Sequence, residues 1–261
     1  MPSAFYEAAG EGYLATELTR GPWDAGSQHA GPPAALLGRE LELLPEAGAF
    51  QLGRITYEIL RPLPIGPVAV AANVLRPGRR VQLVEAELSA AGEVLMRATA
   101  WRLRTAELEL PEGSLGAPQP PPPPETGEGG GFFPIEHELG YHAAMEVSFV
   151  SGGFMELGPA RVWLRMRCPL VDDEEPTPLQ RVLIAADVGN GVSAALDFRR
   201  FLFLNVELTV HLERMPEGEW IYLDAVTRPR SSGIGLTESV LCDREDRIGR
   251  AQQTLLVAPR E

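Results

Sequence analysis

Apolar and polar residues alternate strictly along the segment VELTVHL, at positions 206–212. Successive side chains of an extended chain point to opposite sides, so this alternation predicts a β-strand with one buried face. The apolar face would consist of Val206, Leu208, Val210 and Leu212, and the polar face of Asn205, Glu207, Thr209 and His211. Most of the other predicted strands alternate in the same way, and we therefore expect a sheet of long strands that covers a core with one side.

Two segments instead carry apolar residues at helical spacing. They are PAALLGRELELL at 33–44 and VSAALDF at 192–198. Pro32 and Pro33 fall in the first turn of the first helix, where proline is tolerated because the first N–H groups have no helical partner. Each half of the chain then contains, in the same order, a short strand, one helix and four strands. A helix buried against one face of such a sheet is an α+β arrangement, which we predict for each half.

The two halves also resemble each other in sequence. Residues 59–81 align with residues 211–233 without a gap, which pairs Pro64 and Gly66 with Pro216 and Gly218, and Arg76 and Pro77 with Arg228 and Pro229. One inserted residue later, 84–88 aligns with 237–241, and upstream GPPAALL at 31–37 aligns with GVSAALD at 191–197, which places Ser27 opposite Asp187. Four matched positions in one register predict a tandem duplication.

A change of composition separates the halves. Residues 111–131 read PEGSLGAPQPPPPPETGEGGG, a run of prolines followed by glycines that is typical of an exposed spacer. The sequence therefore predicts an N-terminal unit over 1–106, a linker over 107–140 and a C-terminal unit over 141–261.

Charge and composition exclude several classes of function. The formal net charge of −13 leaves no basic stripe for a nucleic acid. No stretch of about 18 apolar residues could cross a membrane, and the first residues carry no basic and apolar leader, so we expect a cytoplasmic protein. Cys168 and Cys242 have no paired spacing, and we predict neither a metal site nor a cofactor.

Several segments resemble a known family. RITYEILRPLPIGPV at 54–68, RPGRRVQLVEAEL at 76–88 and RATAWRLR at 97–104 are similar to the N-terminal unit of acyl-CoA thioesterases of type II and their thioesterase-like relatives. AADVGNG at 185–191, FLNVELTVHLERMPEGEW at 203–220 and AQQTLLV at 251–257 are similar to the C-terminal unit. The resemblance implies a double hotdog fold, in which each of two tandem units wraps an antiparallel sheet around one helix.

The resemblance also implies an activity and a site. Members of this family hydrolyse fatty acyl-CoA through an acid at a helix start, a hydroxyl residue on the next strand and a glutamine on the last strand, which together hold a water. The acid falls on Asp187 and the glutamine on Gln253, whereas Asn205 occupies the hydroxyl position and Thr209 is a candidate substitute. Asp187 would act as general base, and the N–H groups of Gly189, Asn190 and Gly191 would form an oxyanion hole.

The same site needs space and charge for its substrate. We expect the acyl chain to run between helix and sheet, along Leu36, Phe198 and Leu208. The CoA phosphates need cations, and candidates at equivalent turns of the two halves are Arg76, Arg79, Arg80, Arg228 and Arg230. Because hotdog sheets usually pair, we also expect a homodimer or a higher homo-oligomer.

Other interpretations compete with this one. Asp24 and His29 have a spacing that resembles the hydratase branch of the hotdog superfamily, which adds water to enoyl-CoA. A catalytically silent acyl-CoA-binding protein is a further alternative, because Asn205 departs from the family pattern. Cys168 has no suggestive histidine and is followed by proline, so we reject it as a nucleophile. His137 and His142 could be imagined as metal ligands, but we interpret their segment as a solvated loop.

Overall fold

The computed structural model describes residues 2–45, 49–114 and 116–260. Its strands are β1 (Tyr6–Ala9), β2 (Gly12–Ala15), β3 (Phe50–Ile59), β4 (Gly66–Arg76), β5 (Val81–Ala90), β6 (Glu93–Arg104), β7 (Met145–Ser151), β8 (Ala160–Met166), β9 (Phe201–Asn205), β10 (Glu207–Leu212), β11 (Ile221–Pro229), β12 (Ile234–Cys242) and β13 (Arg247–Pro259). Its α-helices are α1 (Gly31–Glu42), α2 (Tyr141–Ala144), α3 (Pro178–Ala186) and α4 (Gly189–Val192). Short 3-10 helices cover Glu17–Thr19 and Pro124–Thr126.

The strands of both halves form one antiparallel sheet. The N-terminal strands follow the order β1-β2-β4-β5-β6-β3, and the C-terminal strands follow the order β10-β13-β12-β11-β8-β7, with β9 paired to β13. β3 and β10 join the two halves, and Thr56 lies opposite Thr209 in that pair. The two halves repeat the same order of elements, which agrees with the predicted duplication and the α+β class.

The two long helices lie side by side on one face of this sheet. They run in opposite directions, because Gly31 at the start of α1 lies against Ile184 near the end of α3, while Glu42 at the other end of α1 accepts a hydrogen bond from Thr177 Oγ1 (2.7 Å). A Cβ atom on Gly38 would collide with the side chain of Leu183. Glycine on α1 therefore permits the close approach of the helices.

The predicted helix VSAALDF is wrong. α3 and α4 precede this segment, and residues 193–200 contain no helix. The segment is apolar because it covers the core as a loop, with Val192 and Ala194 buried and Phe198 stacked on Phe133 (ring centroids 4.4 Å apart). The counterpart of α1 is thus α3, so the alignment of GPPAALL with GVSAALD and of Ser27 with Asp187 is also wrong.

A break between β9 and β10 changes the predicted faces of that strand. Asn205 ends β9 with its side chain on the helix side, and the next residue with a buried inward side chain is Leu208. Val206, between the two strands, is 45% exposed. Asn205 therefore does not share a face with Thr209, because the irregularity shifts the alternation by one residue.

Part of the proline-rich segment packs against the C-terminal half. Trp163 Nε1 donates to the carbonyl of Pro122 (2.8 Å), and Ser148 Oγ donates to the carbonyl of Pro124 (2.6 Å). Phe133 is buried in the core. This part of the predicted spacer is therefore bound to the sheet, while the limits of the two units and the linker stay a prediction. No helix of the described residues is long and apolar enough to cross a membrane.

Candidate active site

The carboxylate of Asp187 lies at the junction of the two halves. Asp187 caps the C-terminal end of α3 and is only 3% exposed. Asn205 Nδ2, at the end of β9, donates to its Oδ1 (2.8 Å), and Gln253 Nε2, on β13, lies 3.3 Å from the same oxygen. The structure therefore brings Asp187, Asn205 and Gln253 together. Asp187 ends α3 instead of starting a helix, although it directly precedes the short α4.

Gln253 connects the acid to the backbone that follows it. Its Nε2 also donates to the main-chain carbonyl of Asp187 (2.9 Å), and its Oε1 accepts the N–H of Asn190 (3.0 Å). The side chain is 1% exposed, and every one of these bonds is buried. The amide is thus fixed in one orientation, with its donor end towards the carboxylate.

His29, from the N-terminal half, completes the surroundings of the acid. Its Nδ1 lies 3.0 Å from Asp187 Oδ2, and its ring stacks on Tyr141 with centroids 4.0 Å apart and planes 6° apart. The N–H of Gly31 also points at Nδ1 (3.0 Å). One nitrogen cannot donate to Asp187 and accept from Gly31 at once, so Nδ1 forms only one of these two hydrogen bonds at a time.

Two buried tyrosines near the acid hold the helices in place. Tyr141 O–H donates to the carbonyl of Ile184 (2.9 Å), and Tyr57 O–H donates to the carbonyl of Ala34 (2.8 Å). Burial raises the pKa of both phenols well above the usual value, and the negative charge of Asp187 raises them further. Both tyrosines therefore stay neutral and act as hydrogen-bond donors that anchor α3 and α1.

The predicted oxyanion hole is partly occupied. The N–H of Asn190 binds Gln253, and the N–H of Gly191 binds the carbonyl of Val188 (2.9 Å). Of the three predicted groups, the N–H of Gly189 is the one that these bonds do not use. A Cβ on Gly189 would lie 2.7 Å from Ser239 Oγ, so only glycine allows this close approach to the sheet.

A row of hydroxyls, buried at both ends and half-buried in the middle, adjoins the site, and the sequence interpretation missed it. Ser193 Oγ lies 2.8 Å from Thr227 Oγ1, which lies 2.7 Å from Thr237 Oγ1. Thr237 is directly opposite Gln253 in the β12 and β13 pair. The signal in the sequence is weak: Thr237 and Ser239 are polar at inward positions of a strand, where apolar residues are expected.

Two other candidates lie outside this group. Thr209 Oγ1 donates to Thr56 Oγ1 (3.2 Å) on the face of the sheet away from the helices, so it does not replace the family hydroxyl. Asp24 accepts hydrogen bonds from Ser27 Oγ (2.7 Å) and the N–H of Gly26 (3.2 Å), which is the arrangement of an exposed turn. His29 thus pairs with Asp187.

The arginines occupy two different ends of the sheet. Arg230 lines a groove of about 330 Å³ with Leu196, Phe201 and Val257, at the C-terminal half's β11–β12 turn. Arg228 pairs with Glu238. Arg76, Arg79 and Arg80 lie at the β4–β5 turn, at the opposite end of the joined sheet according to the strand register. The predicted acyl-chain residues Leu36 and Leu208 are fully buried.

The remaining candidate groups have structural surroundings. Burial raises the pKa of the Cys168 thiol to about 11, which keeps it protonated. The His142 ring stacks on Phe132 (5.3 Å between centroids), and burial lowers the pKa of both His142 and His137, so the two rings are partly buried while Glu136 and Glu138 of the same segment are exposed. Within 2–45, 49–114 and 116–260, no cluster of side chains could hold a metal ion.

Two family models match the chain. The model of the acyl-CoA thioesterase C-terminal domain matches residues 111–257, and the model of the N-terminal domain matches residues 19–103. The chain belongs to the acyl-CoA thioesterase family. It is therefore a member of a family of thioester hydrolases, as the sequence resemblance predicted, and no curated protein matches it.

Solved structures show the same fold. A candidate thioesterase II from Thermobifida fusca YX is 20% identical, with a TM-score of 0.73 over 97% of this chain and 94% of that one. A protein with a hot dog fold from Alicyclobacillus acidocaldarius is 17% identical, with a TM-score of 0.71 over 98% and 96%. An acyl-CoA thioesterase II from Mycobacterium marinum is 14% identical, with a TM-score of 0.64 over 96% and 94%. The double hotdog prediction is confirmed.

Proposed function

We propose that this member of the thioesterase family hydrolyses fatty acyl-CoA to a free fatty acid and CoA with a water that Asp187 activates. One observation carries the proposal: a buried carboxylate is held by Asn205 and Gln253 and also meets His29 from the other half. A buried carboxylate needs hydrogen-bond partners in any role, but here two amides can also hold a water and an imidazole can take up a proton.

The reaction needs a base and a good leaving group. The water oxygen attacks the thioester carbonyl carbon while its proton moves to the carboxylate of Asp187. The tetrahedral intermediate then collapses, the C–S bond breaks and CoA leaves as a thiolate, which takes up the proton that Asp187 accepted and so restores the carboxylate. A thiol has a pKa of roughly 8.5, so its departure requires no strong general acid.

His29 gives the accepted proton a second place to reside. Nδ1 and Oδ2 are 3.0 Å apart, so a proton taken up by Asp187 can pass to the imidazole without any movement of heavy atoms. Stacking on Tyr141 and the N–H of Gly31 fix the ring in its plane. His29 is therefore part of the proposed acid and base pair, supplied by the N-terminal half.

Asn205 is compatible with activity although the family pattern has a hydroxyl residue there. An amide both donates and accepts hydrogen bonds, as a hydroxyl does. Its Nδ2 already binds Asp187 Oδ1, which leaves its Oδ1 as an acceptor for the second proton of a water. Asn205 would thus orient the water without taking part in proton transfer.

The developing negative charge needs donors that are fixed beforehand. The N–H of Gly189 follows Asp187 by two residues and lies beside Gln253, within the same constellation. A preorganised N–H group in a site without bulk water stabilises an oxyanion strongly, so we assign this role to Gly189.

The groove at the β11–β12 turn is the proposed substrate entrance. It holds about 330 Å³ between the 193–200 segment and the sheet, and it combines apolar walls at Leu196 and Val257 with the charge of Arg230. An acyl chain and pantetheine need the apolar walls, whereas a phosphate needs the guanidinium.

Release of free thiol from acyl-CoA of increasing chain length tests the function. We expect turnover with fatty acyl-CoA and no hydration of an enoyl-CoA, which absorbance distinguishes. Hydration of enoyl-CoA that depends on His29 would favour the hydratase alternative. Binding of acyl-CoA with no release of thiol would leave an acyl-CoA-binding protein.

The predicted homodimer or larger homo-oligomer belongs to the same proposal. Ile234 and Leu256 lie opposite each other on the outer face of the sheet, and both are more than half exposed. Leu236 and Val240 are exposed further along the same face of β12, and this apolar row supports pairing of sheets. Light scattering coupled to size exclusion measures the oligomeric state, and a monomeric mass would contradict the prediction. Recovery of the protein in the membrane fraction would contradict the predicted cytoplasmic location.

A further inference from the structure

We propose that the N-terminal half holds a second binding site, for a nucleoside diphosphate group, in the cavity between the β4–β5 turn and the end of β6. This cavity has a volume of about 890 Å³. It is lined by Pro77, Gly78, Arg79, Arg80, Gln82 and Arg104. Cavities of this size accommodate small organic ligands. The proposal does not depend on the role of Asp187.

The cavity concentrates positive charge in an acidic protein. Three of its six lining residues are arginines, although the chain has a formal net charge of −13. In the parts of the chain that the structure describes, Arg79 and Arg80 form no ion pair. Arg104 Nε donates to the carbonyl of Arg79 (2.6 Å), and its guanidinium lies over the ring of Phe50 (4.9 Å), so it is held in place at the cavity wall. Clustered guanidinium groups are the usual partners of phosphate.

Gln82 adds a requirement for a hydrogen-bond donor. Its side chain is 8% exposed, and its Oε1 is buried without a hydrogen-bond partner among the described residues. A buried acceptor without a partner is unfavourable, so a ligand that donates a hydrogen bond there would be stabilised. The hydroxyl groups of a ribose supply such a donor next to a diphosphate, whereas inorganic phosphate groups at neutral pH mainly accept.

The duplication relates this cavity to the substrate groove of the C-terminal half. Val81 pairs with Leu103 on β5 and β6, and Ile234 pairs with Leu256 on β12 and β13 in the same register. The cavity residue Arg104 therefore corresponds to Val257, which lines the groove at the β11–β12 turn. The same place in the fold is thus mainly apolar in the catalytic half and strongly cationic in the other half.

The cavity is separate from the proposed catalytic site. Gln252 on β13 lies opposite Thr209 on β10, which lies opposite Thr56 on β3, which lies opposite Thr99 on β6, so three strand spacings separate β13 from β6. Arg104 at the cavity follows Thr99 by five residues along β6. Strand spacings of about 4.8 Å and rises of about 3.3 Å per residue place Arg104 roughly 20 Å or more from Gln253. It lies towards the end of the sheet opposite Arg230, so one acyl-CoA does not supply its phosphates to both places.

Calorimetric titration of ADP, CoA and pyrophosphate into the full chain tests the site. We expect ADP to bind the wild-type protein and the Asp187→Asn variant with equal affinity. The double substitution Arg79→Gln and Arg80→Gln should weaken ADP at least tenfold, and both residues are exposed, so the fold is retained. The matched control is Arg61→Gln with Arg97→Gln, two exposed arginines that pair with Glu93 and Glu87, and it should change ADP affinity less than twofold.

A second variant tests the donor requirement. Gln82→Met keeps the size of the side chain and removes its acceptor, so it should weaken ADP and CoA but leave pyrophosphate, which has no ribose, unchanged. Tighter binding of ADP than of CoA would identify a free nucleoside diphosphate as the ligand, and the reverse order would identify CoA. The proposal is overturned if none of the three probes binds at millimolar concentration or if the Arg79 and Arg80 variant binds ADP normally. It is also overturned if the Arg61 and Arg97 variant loses ADP binding to the same extent, or if Gln82→Met weakens pyrophosphate as much as ADP.

Discussion

Replacing Asp187 by asparagine separates its chemistry from its structural role. The substitution keeps the shape of the side chain and removes the charge. Its oxygen can still accept from Asn205 and Gln253, which lie 2.8 and 3.3 Å from Asp187 Oδ1, and its new NH₂ group faces His29 Nδ1, which accepts a hydrogen bond when its proton is on Nε2. Because these contacts persist, we expect the free energy of unfolding to change by about 1 kcal/mol or less.

The rate should fall far more than the stability. Loss of a general base typically costs about 10²- to 10⁴-fold in rate, which corresponds to roughly 2.7–5.4 kcal/mol of transition-state stabilisation. We expect kcat to carry most of the loss, since the buried carboxylate acts on the reacting water and does not line the groove proposed for CoA. The measurement is thiol release under saturating acyl-CoA, with urea unfolding of the same samples.

A matched substitution controls for the loss of one negative charge. Asp197 lies ten residues further along and accepts the N–H of Arg199 in an exposed turn, so Asp197→Asn should retain activity within about twofold. If Asp187→Asn retained kcat within fivefold of the wild type while folded, Asp187 would not be the base. The site would then be a structural junction, and the proposed mechanism would be wrong.

Three further changes test neighbouring parts of the argument. His29→Gln should lower kcat by about 10- to 100-fold and alter its pH profile. Additive losses in a double variant with Asp187→Asn would contradict proton transfer between the two residues, because residues that act as a unit are not additive. Gly31→Ala would place a Cβ 2.6 Å from the carbonyl of Ile184, so urea unfolding should show a loss of about 1–3 kcal/mol, and wild-type stability would refute the tight helix contact. Asp243→Asn should cost about 3 kcal/mol, since this fully buried carboxylate accepts both Nη groups of Arg214 and three backbone N–H groups. Burial alone would raise the pKa of Asp243, but these bonds outweigh it and hold the pKa at about 2, below its usual 3.8. The stabilisation is therefore present above about pH 4 and lost as the pH falls towards 2, and acid unfolding that is unchanged in Asp243→Asn would contradict it.

The sequence predicted most of the strands because their signal is local. Side chains of a strand alternate between a buried and an exposed face, and this period is visible in β5, β12 and most of β13 without knowledge of their neighbours. The repeat of turn residues at one spacing revealed the duplication for the same reason. The helix of the C-terminal half was missed because VSAALDF is apolar at helical spacing but covers the core as a loop. Apolar residues mark buried positions, and a buried segment can be either a helix or a loop.

The sequence likewise predicted some parts of the candidate site and missed others. The family resemblance placed Asp187, Asn205 and Gln253 in one site, and the structure brings them together. The face of Thr209 was wrong because the irregularity at Val206 shifts the alternation by one residue, and a bulge depends on how the partner strands pair. The hydroxyl row was missed since threonine at an inward position looks like an ordinary β-branched strand residue.

The amino-acid sequence alone determined the paired units and the segments that become strands, because each depends on residues close in sequence or on a repeat, and the family resemblance supplied the acid with its glutamine. Only the tertiary structure decided that His29 meets Asp187 and that the arginine turns face opposite ends of the sheet. Antiparallel packing of α1 on α3 creates the contact between His29 and Asp187, and the β3–β10 junction sets the positions of the arginine turns. Both depend on how the two halves pack against each other, and that packing is distributed over many weak contacts that no short segment encodes.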